Sequence, residues 1–280
     1  MAYPLPATLT PSKLTKFMSC PLAFRFSYLD ELPEPPSPHL VRGTLVHKVL
    51  EMLLGTELAV ERTRARALVA LDDAWEMLEE DEIASLGLDD RARTAFRREA
   101  EVLLERYFDV EDPASVNPIG IELDLRAELD GIELRGIIDR LDEMETGEIV
   151  VVDYKTGKAP RPEHARARMV GVHFYALLCE QVLGRVPTEL RLLYLRDPVV
   201  VAESPSPQTL RGARQRAVAV WRAIERACDQ DDFRPNPSRL CSSCAFRPSC
   251  PAFGGDPSRA REVLGAPESP EPAETPPVAG

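Results

Sequence analysis

The four residues Ile149-Val-Val-Val152 are all branched at Cβ, and they run straight into Asp153-Tyr154-Lys155. Such a run fits a central strand buried on both faces, because branched side chains pack well on a pleated surface and none of the four is polar. A strand of this kind needs sheet neighbours and a covering layer on each side. Upstream, Ile121, Leu123, Leu125, Ala127 and Leu129 alternate with polar residues, as in a strand with one buried face. Residues 133–141 and 148–155 follow as strands joined by a turn around Glu145-Thr146-Gly147.

Helical periodicity occupies much of the remainder. Residues 10–28 suggest a helix entered by Thr10-Pro11-Ser12, with Leu14, Phe17 and Met18 on one side. Further helices are expected near 42–54, 60–80 and 90–108, then at 163–183 and 207–228. Residues 190–195 and 199–203 have strand character, whereas the proline-rich segment 31–38 is a linker. The order is helices, three strands, helix, two strands, helix, cysteine cluster. It describes an α/β chain with a mixed sheet, not a doubly wound array. Five regions follow: an N-terminal segment 1–38, a helical region 39–115, a core 116–230, a cysteine region 231–254, and a polar, proline-rich tail 255–280 expected to be disordered.

No stretch approaches the ~18 apolar residues that span a bilayer. Met1-Ala-Tyr-Pro-Leu-Pro lacks the basic start and apolar run of an export signal, so a cytoplasmic protein with no membrane partner is expected. The formal charge is −12, but acid is concentrated in 72–90 and 263–280, while 155–168 and 191–226 are basic. The total therefore does not exclude nucleic acid, because a local basic surface suffices to hold phosphates.

Chemistry concentrates in Gly136-Ile-Ile-Asp139-Arg140 and Asp153-Tyr154-Lys155. With the turn centred on Thr146, residues whose numbers sum to 292 face each other, which pairs Asp139 with Asp153. Their Cβ atoms would then lie about 4.5–5.5 Å apart. Without a cation, two such carboxylates repel or share a proton; with Mg²⁺ or Mn²⁺ they form an oxygen-ligand site. Lys155, two residues after Asp153, emerges on the same strand face and can position a water or neutralise charge on a phosphate. The plainer reading is a surface hairpin with an Asp153–Lys155 ion pair. Elsewhere, Gly43 lies one helical turn before His47, so another backbone or a substrate could approach this histidine; alone, it would be a helix-surface side chain.

Cys241-x₂-Cys244-x₅-Cys250, with Cys20 far upstream, offers four thiolates suited to zinc or an iron–sulfur cluster. Zinc ribbons usually present two close pairs, whereas this set divides three and one. Cys20 and Cys250 both precede proline, as ferredoxin-type ligands often do. Cys179 and Cys228 fall on apolar helix faces and are expected to be buried free thiols.

Taken in order, Gly43-x₃-His47, Gly136-Ile-Ile-Asp139-Arg140, Val152-Asp153-Tyr154-Lys155-Thr-Gly157 and the cysteine cluster resemble the RecB-family branch of the PD-(D/E)XK nucleases over roughly residues 10–252. The resemblance implies a restriction-endonuclease-like core. It implies that His47, Asp139, Asp153 and the backbone carbonyl of Tyr154 bind Mg²⁺ or Mn²⁺, with Lys155, Asp139 and Asp153 catalytic. It further implies that Cys20, Cys241, Cys244 and Cys250 hold a 4Fe–4S cluster joining the two ends of the chain, as in the AddB nuclease domain and CRISPR-associated adaptation nucleases. Such a staple would remove much freedom from the unfolded chain.

One departure stands out. The family carries Gln-x₃-Tyr on the helix after the Asp-x-Lys strand; here Tyr175 is present, but the glutamine position is Gly171, with His173 nearby. Tyr175, Glu122 and Arg140 are candidates for contacting substrate or supporting the site. The activity implied is metal-dependent DNA exonuclease in repair, recombination or end processing. The alternative is a non-catalytic DNA-binding scaffold of the same fold. With no Walker A motif in the chain, DNA unwinding would fall to a helicase or repair-complex partner.

Overall fold

The computed structural model describes residues 3–265, with backbone only at 166 and 167. Helices α1 (Pro11–Ser19), α2 (Pro21–Tyr28), α3 (Pro38–Leu54), α4 (Arg64–Leu78) and α5 (Asp90–Val110) precede strands β1 (Pro118–Leu129), β2 (Ile132–Glu143) and β3 (Ile149–Lys155). Then come α6 (Pro162–Arg168), α7 (Val170–Leu183), β4 (Glu189–Tyr194), β5 (Val199–Glu203) and α8 (Pro207–Gln230). Short 3₁₀ turns carry the cysteine segment into α9 (Ala260–Val263).

The five strands form one mixed sheet in the order β1-β2-β3-β4-β5; only β3 and β4 run parallel. This is an α/β architecture with helices on both faces, consistent with a restriction-endonuclease-like core. One hydrophobic cluster brings Ile149 and Val151 together with residues of α1, α2, α7 and α8. The other packs Val150, Val152 and Tyr154 against α3, α4 and α5. Thus β3 is buried on both faces, as its run of branched residues requires. Pairs Arg140↔Val152 through Glu143↔Ile149 all follow the register set by the Thr146 turn, where Gly147 supplies the positive φ of 82°.

Four expectations need correction. Residues 10–28 form two helices, because Pro21 forces Cys20 into an extended conformation (φ −163°, ψ 105°). Met18 is 48% exposed and does not join Leu14 and Phe17 in the core. The helix expected over 163–183 is interrupted at Met169. Residues 255–265 are not a loose tail: Ala260 is buried, and the Arg261 guanidinium donates to the carbonyl of Asp30. The rest of that tail, 266–280, lies outside the described residues. Among the described residues no helix is long and apolar enough to cross a membrane.

The N-terminal segment packs against α8 and the stretch that follows it. The Tyr3 amide donates to the Cys228 carbonyl at 3.1 Å, and the Asn236 side chain donates to the Ser19 carbonyl at 2.9 Å. The Phe26 and Phe246 rings lie 5.2 Å apart.

Candidate active site

The site is built where β1 and β2 change face. Along β1, Leu123, Leu125 and Leu129 face the cluster shared with α7 and α8, yet Ile121 packs into the α3–α5 cluster. The cause is Glu122, whose backbone is left-handed at φ 46°. Alternation expected to continue through Ile121 is therefore broken at this residue. β2 switches as well: Ile138 faces α7, whereas the Arg140 side chain bonds Glu111 just beyond α5. The pairs Ile121↔Arg140 and Leu123↔Ile138 set Glu122 opposite Asp139, while the β2–β3 ladder ends at Arg140↔Val152, just before Asp139 and Asp153. Three carboxylates thus stand in a row across three strands.

His47 reaches this row from α3. Its Nδ1 lies 3.5 Å from Asp139 Oδ2, and its Nε2 lies 3.2 Å from the Tyr154 carbonyl oxygen. The Tyr154 amide donates to Asp139 Oδ2 at 2.7 Å. Among the described residues, His47, Glu122 and Asp139 form a set whose donor atoms all lie within 4.8 Å of one another. A Mg²⁺ ion binds oxygens at about 2.0–2.1 Å, so small side-chain adjustments suffice to bring this set around one cation. Asp153, 5% exposed, is ion-paired with Lys155 on the same strand face.

The electrostatics suit a cation. Burial, reinforced by the charge of Asp153, raises the Asp139 carboxyl well above the ordinary range. Burial also raises Glu122, with the charges of Glu51 and Asp153 adding to it. Burial holds His47 below the usual imidazole range despite the charge of Asp153, which leaves a neutral ring ready to be a ligand. For Lys155, burial acts to lower the ammonium, but Asp153 outweighs it and keeps the group above its ordinary value. Apposed acids short of positive charge are a strained arrangement that a divalent ion would relieve.

Gly43 serves β3: a Cβ there would sit 3.3 Å from the Thr156 hydroxyl, so the glycine lets α3 close on the end of the Asp-x-Lys strand. Gly136 serves α7: a Cβ would lie 2.7 Å from Leu178 and 3.0 Å from the Tyr175 ring. Two clefts open from the centre. One, of about 440 Å³, is lined by Gly43, His47, Lys48, Glu51, Glu122 and Thr156. The other, of about 660 Å³, is lined by Asp153, Lys155, Lys158, Arg168, Gly171 and Tyr175. Gly171 has open space where its Cβ would be, so the missing family glutamine leaves a gap in this wall.

Two side chains near the site are engaged elsewhere in the fold. His173 does not stand in for that glutamine, because its Nε2 is bonded to Glu203 on β5 at 3.1 Å. Arg140 is fully buried and reaches neither cleft. Its guanidinium donates to Glu111 and Asp142, and to the Tyr154 hydroxyl at 2.8 Å. Arg140 therefore supports the strand that carries the site. Tyr107 completes this buried group by donating to Glu111 at 2.8 Å. Glu111 and Thr156 were not singled out from sequence; Glu111 lies 29 residues from Arg140 and has no local motif.

At the other end, burial raises the Cys244 thiol, and Cys20, Cys241 and Cys250 all act electrostatically on it. Cys179 and Cys228 are buried; burial pushes the Cys179 thiol up to about 12.

The chain is 26% identical to the Gene 69 protein of Mycobacterium phage L5, over 86% of this chain and 95% of the phage protein. Its identity to the Gene 69 protein of Mycobacterium phage D29 is also 26%, over 86% and 96%. The fold resembles the crystal structure described as "Putative exonuclease" from Eubacterium rectale (TM-score 0.56, 15% identity), covering 85% of this chain and 87% of that one. Residues 8–251 match the pattern of a nuclease family whose members depend on divalent metals, and the chain belongs to that family, the PD-(D/E)XK nuclease superfamily.

Proposed function

We propose that this protein is a cytoplasmic, divalent-metal-dependent deoxyribonuclease of the RecB type that degrades DNA from its ends, in repair, recombination or end processing. The observation that carries this reading is the convergence of His47, Glu122 and Asp139 within 4.8 Å, beside the Asp153–Lys155 pair. His47, Asp139, Asp153 and the Tyr154 carbonyl would hold Mg²⁺ or Mn²⁺, with Glu122 as a further oxygen donor. When bound, the cation would polarise the phosphoryl oxygen and lower the pKa of a water. Lys155 orients the attacking water or neutralises charge growing on the phosphate, for which its raised pKa keeps it protonated. Tyr175 borders the cleft where the strand would lie.

We assign Cys20, Cys241, Cys244 and Cys250 to a 4Fe–4S cluster. The three-plus-one division of these cysteines, and the prolines that follow Cys20 and Cys250, favour a cluster over a zinc ribbon built from two close pairs. The one-plus-three spacing resembles that of the AddB nuclease domain and the CRISPR-associated adaptation nucleases, and on that resemblance we propose a helicase or repair-complex partner. Brown protein absorbing at about 400 nm is the expected signature; colourless, zinc-loaded protein would overturn the assignment.

The open space at Gly171 favours one second reading, a scaffold that binds DNA without cutting it. Digestion of end-labelled linear DNA with Mn²⁺ or Mg²⁺ separates the two. The nuclease reading expects metal-dependent shortening that Asp153→Ala and Lys155→Ala abolish. Binding without shortening in the wild type would support the scaffold.

A further inference from the structure

Beside the cleft that holds His47 and Glu122 lies a third, of about 330 Å³, which shares His39 and Thr156 with it. Its walls come from the start of α3, the middle of α5 and the turn after β4, and they carry Arg42, Arg98, Arg106 and Arg196. Four arginines in one small cleft are unexpected in a chain of net charge −12. Glu99 is the single acid in the lining, and it is ion-paired with Arg42. Arg42 also bonds His39 Nδ1 at 2.8 Å, so it points across the wall shared with the metal cleft. Arg98 is paired with Glu101 at 2.9 Å and lies 3.9 Å from Glu105.

The other two arginines have no acid partner among the described residues. Arg106 donates to the backbone carbonyl of Arg196, which pins the turn after β4 to α5. The Arg196 side chain itself is exposed, and among the described residues it forms no ion pair. An arginine fork suits phosphate oxygens, and uncompensated positive charge beside a phosphodiester-cleaving centre has an evident ligand.

We propose that this cleft holds backbone phosphates of the DNA strand next to the scissile bond, with Arg98 and Arg196 reaching the phosphates from its exposed rim. The proposal rests on the nuclease reading and specifies where that substrate runs. It requires the strand to pass Thr156 from the metal cleft towards α5. Arg42 and Arg106 then fix the walls, while Arg98 exchanges its surface partners Glu101 and Glu105 for phosphate.

Fluorescence anisotropy with a labelled single-stranded oligonucleotide, in EDTA so that nothing is cut, tests the cleft independently of turnover. In Arg98→Ala/Arg196→Ala, affinity at moderate salt should fall about tenfold. The slope of log K against log salt should shrink by about 0.7 for each phosphate that is no longer neutralised. Arg196→Lys should keep the slope, and Arg222→Ala, on the exposed side of α8, should bind as wild type. Unchanged affinity and slope in the double variant would overturn the proposal, as would an equal loss in Arg222→Ala. Both variants replace exposed side chains, so an unchanged melting temperature verifies that a loss of binding is not a loss of fold. Failure of the nuclease reading would appear separately, as uncut DNA when wild type is given Mn²⁺.

Discussion

Glu122 and Asp139 stand opposite each other on β1 and β2 at the position where both strands turn their side chains from one core to the other. The turnover requires Glu122 to adopt a left-handed backbone at φ 46°, a conformation that costs a non-glycine residue on the order of 1–3 kcal/mol. Strain of this size at a carboxylate within 4.8 Å of two other donors is consistent with a site built for binding rather than for stability.

Glu122→Gly should separate the two roles. Relief of the backbone is expected to stabilise the metal-free protein by roughly 1 kcal/mol, since glycine adopts positive φ freely. Loss of the carboxylate should weaken Mn²⁺ binding about tenfold or more. Urea unfolding without metal, together with a Mn²⁺ titration, measures both; lower stability and unchanged Mn²⁺ affinity would remove Glu122 from the site.

The raised Asp139 carboxyl fixes a pH dependence. Burial and the Asp153 charge make the folded protein hold this proton more tightly than the unfolded chain does. The group therefore stabilises the metal-free fold at acid pH, and that contribution is lost as pH rises through the raised value. Asp139→Asn should melt above wild type at pH 8 without metal, with the difference narrowing towards pH 4. Wild type alone should respond to metal: Mn²⁺ at a hundred times its Kd adds about 2.7 kcal/mol. Thermal melts across pH, with and without Mn²⁺, check both signs.

Arg140 predicts a purely structural loss. Its fully buried guanidinium is shared by Glu111, Asp142 and Tyr154, so Arg140→Met should cost about 3–5 kcal/mol by leaving buried carboxylates without their cation. Adding Glu111→Gln and Asp142→Asn should recover part of that loss in urea unfolding.

The two glycines bearing on α7 should respond in opposite ways. Gly136→Ala drives a methyl into Leu178 and Tyr175 and should destabilise by about 1–3 kcal/mol. Gly171→Gln enters open space beside Lys155 and Tyr175, so it should fold as wild type does and lower KM for DNA several-fold. Urea unfolding and steady-state digestion distinguish the pair.

The hairpin register was legible because a short turn fixes it: with Thr146 central, Glu143 pairs with Ile149 and the ladder runs in step to Arg140↔Val152, next to Asp139 and Asp153. Burial of β3 on both faces followed from its branched run. The break at Cys20 was also written in the chain, since Pro21 bars its predecessor from the helix. By contrast, the face change at Glu122 depends on one backbone angle that no local residue type announces. Glu111 became visible only when folding carried the end of α5 to Arg140. Arg42, Arg98, Arg106 and Arg196 come from three separate segments, so their common cleft is a property of the fold alone.

A bound cation is the centre of the proposed chemistry, and Mn²⁺ titration followed by electron paramagnetic resonance reads it without any nucleic acid. The wild type should remove Mn²⁺ from the free signal with at least one site per chain, and Asp139→Asn and Asp153→Asn should each lose that site. Binding that survives unchanged in both variants, or that is missing from the wild type, would contradict a metal centre built on Glu122, Asp139 and Asp153.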